Sequence, residues 1–243
     1  MSLTVGKGAI HALIGPNGAG KTTVLNCLSR FYTPDEGRII FDDQNLLHLK
    51  EYDVAKVGIA RTFQNLELFR DLTVFDNVLT ARFRFMKAGI LENMLCLPRS
   101  RRDETRNRER VMEILSLVGL EKRAQVRVGG LPYGLQKIVE LARAMALEPK
   151  LLLLDEPAAG MNSREVAQLG ELLVRLCEIL QATILLVEHN MALVMAISHL
   201  VTVMHSGQFL AEGTPGQIES DPKVVEAYLG SGYKPHLARS KNA

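Results

Sequence analysis

Short, continuous apolar runs predict strands that are buried on both faces. Ile10–Ile14 reads IHALI and Leu151–Asp155 reads LLLLD, and such runs are typical of parallel sheets, where helices cover both faces. Similar patterns predict further strands at residues 38–41, Thr183–Val187 and residues 200–204. The chain therefore carries several candidates for one central sheet.

Helical periodicity separates these strands. A helix is predicted at about residues 21–29, and a longer amphipathic helix over Ser163–Leu180. Because strands alternate with helices, the pattern predicts an α/β fold with a mostly parallel sheet. Residues 1–65 and 148–230 then form the sheet core, residues 66–147 form an inserted helical subdomain, and residues 231–243 form a polar, basic tail that we expect to fray.

The glycine-rich turn after the first strand is the strongest chemical signal. Residues 15–22 read GPNGAGKT and fit the phosphate-loop pattern GxxxxGK[ST] between a predicted strand and a predicted helix. Glycines let backbone N–H groups turn toward phosphate oxygens, and the start of the helix adds positive potential. Lys21 supplies a full charge for the outer phosphates, and Thr22 supplies a hydroxyl for Mg²⁺. An ordinary glycine turn is the alternative interpretation.

Two acidic residues close the LLLLD run. Ligands of parallel sheets bind at the carboxyl ends of strands, so Asp155 is placed to hold Mg²⁺ through its water shell. Glu156 is positioned to polarise a water for attack on a γ-phosphate. Read alone, Asp-Glu-Pro is equally typical of a turn; the phosphate loop favours the catalytic interpretation.

Composition excludes several classes of protein. With 243 residues, 47% hydrophobic and 23% charged, the chain can bury a full core and is not disordered. A net charge of +2 disfavours nucleic-acid binding through bulk charge. Cys27, Cys96 and Cys177 are far apart, which argues against a disulfide scaffold or a zinc site. The longest apolar stretch, residues 191–204, is shorter than the roughly 20 residues that span a bilayer, so any membrane role requires a partner.

An arginine-rich stretch lies within the predicted helical subdomain. Acidic residues are interleaved with the arginines, which favours a solvated helix face over a binding patch. The residues are Arg99, Arg101, Arg102, Arg106, Arg108 and Arg110, with Asp103, Glu104 and Glu109.

Six motifs, in order, resemble those of the ATP-binding cassette (ABC) ATPases. Residues 15–23 (GPNGAGKTT) resemble Walker A, and Gln64 in RTFQN resembles the Q-loop glutamine. Residues 131–137 (LPYGLQK) resemble a variant signature motif, LLLLDEP resembles Walker B, and residues 159–162 (AGMN) resemble the D-loop. His189 in LLVEHNM resembles the switch histidine. The resemblance covers nearly the whole chain and implies a P-loop NTPase fold.

The family resemblance also implies Mg²⁺-dependent ATP hydrolysis, with ATP and Mg²⁺ bound. Glu156 is implied as the general base or water-orienting group, and His189 as a contact of the γ-phosphate. The implied ATP contacts are Gly15, Pro16, Asn17, Gly18, Ala19, Gly20, Lys21, Thr22, Thr23 and Gln64, and the implied metal contacts are Thr22, Gln64 and Asp155.

ATPases of this family pair head to tail, which implies contacts across a dimer. Gly134 and a helix starting at Leu135 are then expected to face the ATP held by the second subunit. The implied signature residues are Pro132, Tyr133, Gly134 and Leu135, and the implied D-loop residues are Ala159, Gly160, Met161 and Asn162.

Several of these motifs resemble more narrowly the ATPase subunits of branched-chain amino acid importers. GIARTFQN, LELFRDLTVFDNV, the PYG signature, DEPAAGMN and VEHNM carry this resemblance; related urea, amide and other small-solute importers share these features. The resemblance to branched-chain amino acid importers implies a motor at the cytoplasmic face of the inner or plasma membrane. The implied partners are permease subunits, a second ATPase subunit (identical or different) and, indirectly, a periplasmic or extracellular solute-binding protein, with no nucleic acid.

The sequence departs from the family pattern in two places. Pro132 stands where the signature usually has a serine hydroxyl, and it has no N–H; Tyr133 and Leu135 replace a glycine and a glutamine. Phosphate contact from this side then depends on backbone groups, and we expect hydrolysis to persist with weaker support.

The second departure concerns adenine. Family members usually carry a further segment with an aromatic residue that stacks on the base, whereas no aromatic residue precedes Phe31 here. Base stacking contributes about 1–3 kcal/mol, so its loss lowers ATP affinity about tenfold or more. Loss of that segment would also expose a sheet edge. A shortened chain and an ATPase indifferent to the base both remain open.

Other functions share the same motifs. A soluble ABC ATPase acting on DNA or the ribosome usually has two cassettes or a long coiled-coil insert, and an exporter or lipid-extraction motor uses the same fold. A nonfunctional cassette is disfavoured because Lys21 and Glu156 are both present.

Overall fold

The computed structural model of the chain describes residues 1–86 and 98–229. Its strands are β1 (Ile10–Ile14), β2 (Ile40–Phe41), β3 (Gln44–Asn45), β4 (Ile59–Arg61), β5 (Leu151–Asp155), β6 (Thr183–Val187), β7 (Leu200–His205) and β8 (Gln208–Gly213). Its α-helices are α1 (Lys21–Leu28), α2 (Glu51–Val57), α3 (Val74–Arg82), α4 (Pro98–Leu117), α5 (Tyr133–Met145), α6 (Ser163–Leu180), α7 (Met191–Ile197), α8 (Pro215–Glu219) and α9 (Pro222–Leu229).

A six-stranded sheet forms the centre of the molecule, in the order β4-β5-β6-β1-β7-β8. Neighbouring strands are parallel except β8, which is antiparallel to β7. The mostly parallel sheet is confirmed, and the bounds of β1, β5 and β6 coincide with the predicted runs. The strand predicted at residues 38–41 shortens to β2, which pairs with β3 in a separate hairpin because a two-residue turn follows it.

Burial explains why the apolar runs predicted these strands so well. Every residue of β1, β5 and β6 is buried, because helices cover both faces of a parallel sheet. The amphipathic helix α6 has the predicted bounds and buries its leucine stripe against the main core. Asn162 and Glu165 form a capping box that fixes its first residue.

Helices α3, α4 and α5 lie in sequence between β4 and β5, and each packs against another of the three. All six strands of the sheet come from outside residues 66–147. The division of the chain at residues 66 and 147 stays a prediction, and Cys96 and the tail at 231–243 lie outside the described residues.

The helix at the signature begins earlier than expected. It starts at Tyr133, not Leu135, with Pro132 as its N-cap. Proline restricts the residue before it to extended conformations, and Leu131 is extended, with ψ of 147°. The helix therefore starts directly after the proline.

The arginine-rich stretch lies in α4, from its second residue to beyond its middle. Arg108 pairs with Glu104 and Arg110 with Glu113 on its surface, which favours the interpretation as a solvated face. Across residues 1–86 and 98–229, no helix combines the length and the apolar character needed to cross a bilayer.

Candidate functional site

The glycine-rich loop joins the carboxyl end of β1 to the start of α1. Gly20 is the N-cap of α1 and has φ of 94°, a left-handed conformation that favours glycine. At Gly15, an added Cβ would collide with the carbonyl oxygen of Met204 on β7. The loop therefore keeps its shape only with glycine at these two positions. At Gly15 the reason is the close approach of β7, a contact that the sequence motif does not reveal.

Lys21 lies folded over this loop. Its side chain is buried, and its Nζ donates to the carbonyl oxygens of Gly15 at 2.8 Å and Pro16 at 3.0 Å. Burial lowers the pKa of Lys21, while the nearby carboxylates of Glu156 and Asp155 act in the opposite direction. An ammonium group has three protons, so the hydrogen bonds to these two carbonyls leave one proton for an anion.

Beside Lys21, part of the loop and the first turn of α1 are exposed to solvent. Asn17, Gly18, Thr22 and Thr23 are exposed, whereas Ala19 is buried in the core beneath them. The amino end of α1, which attracts anions, therefore opens onto a surface that a phosphate group can reach.

Glu156 is the centre of the cluster at the carboxyl ends of β5 and β6. Its Oε1 lies 2.8 Å from Nε2 of His189, and its Oε2 accepts from Nε2 of Gln64 at 3.1 Å. Its own N–H donates to the carbonyl of Val187 at 2.8 Å. The structure thus brings together three residues predicted from separate motifs.

Asp155 lies one residue before Glu156 but in a different environment. It is buried, and its Oδ2 accepts from the guanidinium of Arg61 at 2.8 Å. Its Oδ1 is buried without a hydrogen-bond partner among the described residues. A buried carboxylate oxygen with an open coordination position fits the oxygen ligands that Mg²⁺ prefers, so the residues present are compatible with the predicted metal.

Glu188 is a buried residue that the sequence analysis missed. Its Oε1 accepts from the N–H of Ala158 at 2.7 Å, and its Oε2 accepts from those of His189 and Asn190 at 2.9 and 3.1 Å. It therefore ties the loop that carries His189 to the turn that follows Glu156. The signal in the sequence was an acidic residue directly after the apolar run of β6.

The D-loop residues continue the turn after Glu156. Ala159 donates its N–H to the Glu156 carbonyl at 3.1 Å, and Met161 packs against the main core. Asn162 caps α6, accepting from the N–H groups of Arg164 and Glu165 at 3.0 and 3.1 Å.

Signature and D-loop of the same chain are in contact. A Cβ added at Gly160 would lie 2.9 Å from the ring of Tyr133, and one added at Gly134 would lie 2.8 Å from the Glu165 carboxylate. Pro132 is exposed and Leu135 packs partly against the main core. Tyr133, which stands where the signature usually has a glycine, therefore fills the space beside Gly160.

The Q-loop is held from the side of α5 by a buried pair that the sequence analysis did not identify. Lys137 donates its Nζ to the Gln64 carbonyl at 2.8 Å, and Glu140 accepts from the N–H of Phe63 at 3.1 Å. The backbone at Gln64 is thus fixed by the helix that begins at the signature.

Comparison with known proteins agrees with this geometry. The family model described as "ABC transporter" matches residues 1–159, and a model for branched-chain amino acid ATP-binding cassette transporters matches residues 210–234. The chain is 45% identical over 221 residues to the high-affinity branched-chain amino acid transport ATP-binding protein LivG of Escherichia coli K12, covering 91% of this chain and 87% of the relative. It is 42% identical over 230 residues to BraF of Pseudomonas aeruginosa, a protein with the same description, covering 95% and 90%.

Solved structures agree as well. The ADP conformation of MJ1267, an ATP-binding cassette of an ABC transporter, matches with a TM-score of 0.81 and 31% identity, covering 95% of this chain and 91% of that chain. The dimeric structure of MJ0796, a bacterial ABC transporter cassette, matches with a TM-score of 0.72 and 26% identity, covering 88% of each. The chain thus belongs to the ABC transporter family, as one of its ATP-hydrolysing ATP-binding cassettes.

Proposed function

We propose that this chain is the Mg²⁺-dependent ATPase motor of an importer for branched-chain amino acids. The observation that carries the proposal is the cluster in which His189 and Gln64 both contact Glu156, beside the loop of Lys21. Relatives described as branched-chain amino acid transport proteins support the choice of solute.

The roles of the chain's own residues follow from this geometry. Lys21 and the amino end of α1 bind the phosphates of ATP. The carboxylate of Glu156 accepts a hydrogen bond from the attacking water and orients it toward the γ-phosphate. His189 and Gln64 fix that carboxylate, and either can donate to the water or the γ-phosphate once ATP is present.

Thr22, Gln64 and Asp155 are the residues that would hold Mg²⁺. The bound cation supplies positive charge against the phosphate oxygens. Asp155 supports this assignment through its unpartnered Oδ1, and Thr22 through its exposed position in the first turn of α1.

A head-to-tail dimer supplies the second side of the ATP site in this proposal. Residues 132–135 would face the ATP of the second subunit, whether that subunit is identical or different. The similarity to a cassette described as dimeric supports this arrangement.

Docking to permease subunits at the cytoplasmic face of the membrane completes the proposal. Three exposed aromatic side chains support a protein partner, since Tyr52, Phe69 and Phe83 are each more than half exposed. Arg84, the residue after Phe83, connects this segment to α2, the helix that carries Tyr52. Its guanidinium donates to the carbonyl of Ala55 near the end of that helix. A solute-binding protein would act through the permease.

The ATPase activity is tested with the purified chain. We expect Glu156→Gln to lower kcat at least about 100-fold, as loss of a general base does, while ATP still binds. Lys21→Ala should lose ATP binding. Glu178→Gln and Lys122→Ala change exposed residues of the same types and should match the unmodified chain. Equal activity in Glu156→Gln would contradict the assignment of Glu156.

The solute is tested by uptake in cells whose chromosomal copy carries Glu156→Gln. We expect uptake of radiolabelled leucine, isoleucine and valine to fall at micromolar concentrations, with lysine uptake unchanged. Loss of urea or amide uptake instead would assign a related small-solute importer. Unchanged uptake of all these solutes would favour an exporter or an ATPase without a role in transport.

A further inference from the structure

We propose that Arg61 is a positioning residue for magnesium, holding Asp155 so that one chosen carboxylate oxygen faces the metal. The inference rests on the proposed Mg²⁺ dependence and concerns a residue to which none of the six sequence motifs assigns a role. Arg61 is the last residue of β4, three positions before Gln64.

Arg61 and Asp155 form a buried ion pair. The guanidinium of Arg61 lies 2.8 Å from Oδ2 of Asp155, with side-chain exposures of only 7% and 2%. A hydrogen bond between ionised, buried groups is short and directional. The pair therefore fixes the rotation of the Asp155 side chain rather than merely balancing its charge.

The two oxygens of the Asp155 carboxylate have different surroundings. Oδ2 is engaged by Arg61, whereas Oδ1 is buried and has no hydrogen-bond partner among the described residues. Leaving a buried acceptor without a partner is costly, so such an atom in a functional site calls for a ligand. A water in the shell of Mg²⁺ would satisfy Oδ1.

Arg61 is itself held in place by contacts with α1 and with Phe63. Its second terminal nitrogen donates to Asn26 at 2.7 Å and to Ser29 at 3.4 Å, both at the carboxyl side of α1, and its guanidinium lies 5.1 Å from the centre of the Phe63 ring. Helix α1 begins with Lys21 and Thr22. Arg61 thus ties the carboxylate of β5 to the same helix that carries the other proposed metal contact.

A fork-shaped donor is needed for this arrangement. The planar guanidinium reaches Asp155 with one nitrogen and Asn26 with the other, whereas a lysine ammonium is a compact point charge on a flexible chain. Residues that orient a metal ligand from outside typically change metal affinity or activity 10–100-fold when they are replaced.

The experiment measures magnesium binding separately from hydrolysis. In the Glu156→Gln background, binding of a fluorescent ATP analogue is titrated with and without Mg²⁺, and Mn²⁺ binding to the nucleotide-loaded protein is followed by electron paramagnetic resonance. For Arg61→Met we expect the half-saturating concentration of both cations to rise about tenfold. Affinity for the nucleotide without metal should change less than twofold.

Two further variants separate orientation from charge and folding. Arg61→Lys keeps the charge but not the fork and should raise the half-saturating metal concentration severalfold. Asn26→Ala removes only the hydrogen bond between Arg61 and α1. We expect this variant to raise the half-saturating metal concentration as well, but by less, so it tests the proposal even if Arg61→Met does not fold. Arg123→Met changes an exposed arginine and should leave both titrations unchanged.

Each result has a defined meaning. Unchanged metal binding in Arg61→Met and Asn26→Ala overturns the proposal, and so does an equal loss of nucleotide affinity without metal, which indicates a purely structural role. If Mg²⁺ leaves nucleotide binding and hydrolysis by the unmodified chain unaffected, the proposed Mg²⁺ dependence fails instead.

Discussion

Glu156 occupies a backbone conformation that side chains rarely adopt. Its φ is 50°, and a left-handed conformation costs a residue with a Cβ about 1–2 kcal/mol. Bonds from its N–H to Val187 and from Ala159 to its carbonyl hold the turn in place. Strain of this kind persists where the surroundings fix it and is common at active sites, in agreement with the catalytic role proposed for its carboxylate.

His189 and Gln64 contact different oxygens of that carboxylate, which leads to a graded prediction. We expect His189→Ala to lower kcat about 100-fold, within the range for groups that assist proton transfer, and Gln64→Ala to lower it less, because Gln64 makes the longer contact with Glu156, at 3.1 Å against 2.8 Å for His189. The KM for ATP should change little in both. Steady-state ATPase measurements at saturating Mg²⁺ provide the check.

His48→Ala is the matched control, since His48 lies in the short 3₁₀ turn Leu46–His48, apart from the catalytic cluster. A change in KM with constant kcat would contradict the prediction, because it would place the two side chains in ATP binding alone.

At the scale of elements, helix α5 connects the signature to the Q-loop. It begins at Tyr133, which touches the D-loop at Gly160, and it carries Lys137 and Glu140, which bond the backbone of residues 63–64. Both of these side chains are buried. A displacement of α5 would therefore move the backbone of Gln64 with it.

Glu140 gives this helix a pH-dependent stability. Burial raises the pKa of its carboxyl above 4.5, against the hydrogen bond from Phe63 and the nearby Lys137. The folded state thus binds this proton more tightly than the unfolded state. Its contribution to stability is fully present below the unfolded pKa and is lost as pH rises through the folded pKa.

We therefore expect Glu140→Gln to gain free energy of unfolding relative to the unmodified chain as pH rises above about 4.5. The neutral amide still accepts from Phe63 but does not have to ionise. Urea denaturation of both proteins between pH 4.5 and 7.5 measures the difference. Glu121→Gln, at an exposed position, should show no such trend, and a trend of the opposite sign would mean that Lys137 dominates over burial.

At the scale of the whole molecule, the residues proposed to bind ATP lie in two regions. Lys21, Asp155 and Glu156 lie at the carboxyl ends of the parallel strands, whereas Tyr133 and Gly134 lie at the start of α5 and contact the D-loop and Glu165. The proposed dimer would bring the second region of one chain to the first region of another.

ATP should then control the association of two chains. We expect Glu156→Gln with ATP to elute with twice the monomer mass of 26.9 kDa, because slow hydrolysis preserves the bound nucleotide. Without ATP, or with Lys21→Ala, the monomer should predominate. Size-exclusion chromatography with light scattering measures the mass. A monomer under all conditions would mean that the second ATPase subunit is a different chain or that the pairing fails.

Local patterns determined much of this protein. The buried runs fixed β1, β5 and β6, the leucine spacing fixed α6, and the glycine loop with Lys21 indicated the phosphate site. These features depend on neighbouring residues, so a single sequence contains them. The edge strands β4 and β8 were not predicted, because β4 has only three residues and β8 is largely exposed, so neither carries a strong apolar pattern.

Only the tertiary structure decided which polar groups meet. Arg61 and Asp155 are 94 positions apart in sequence, and Gln64 and Glu156 are 92 apart. Nothing in the spacing of such residues specifies a contact, since the order of strands in the sheet brings them together. The sequence by itself therefore determined the buried strands β1, β5 and β6, the glycine-rich loop and the residue types proposed for catalysis. The tertiary structure determined which polar groups contact these residues, because a buried charge has to be paired wherever the packing places it.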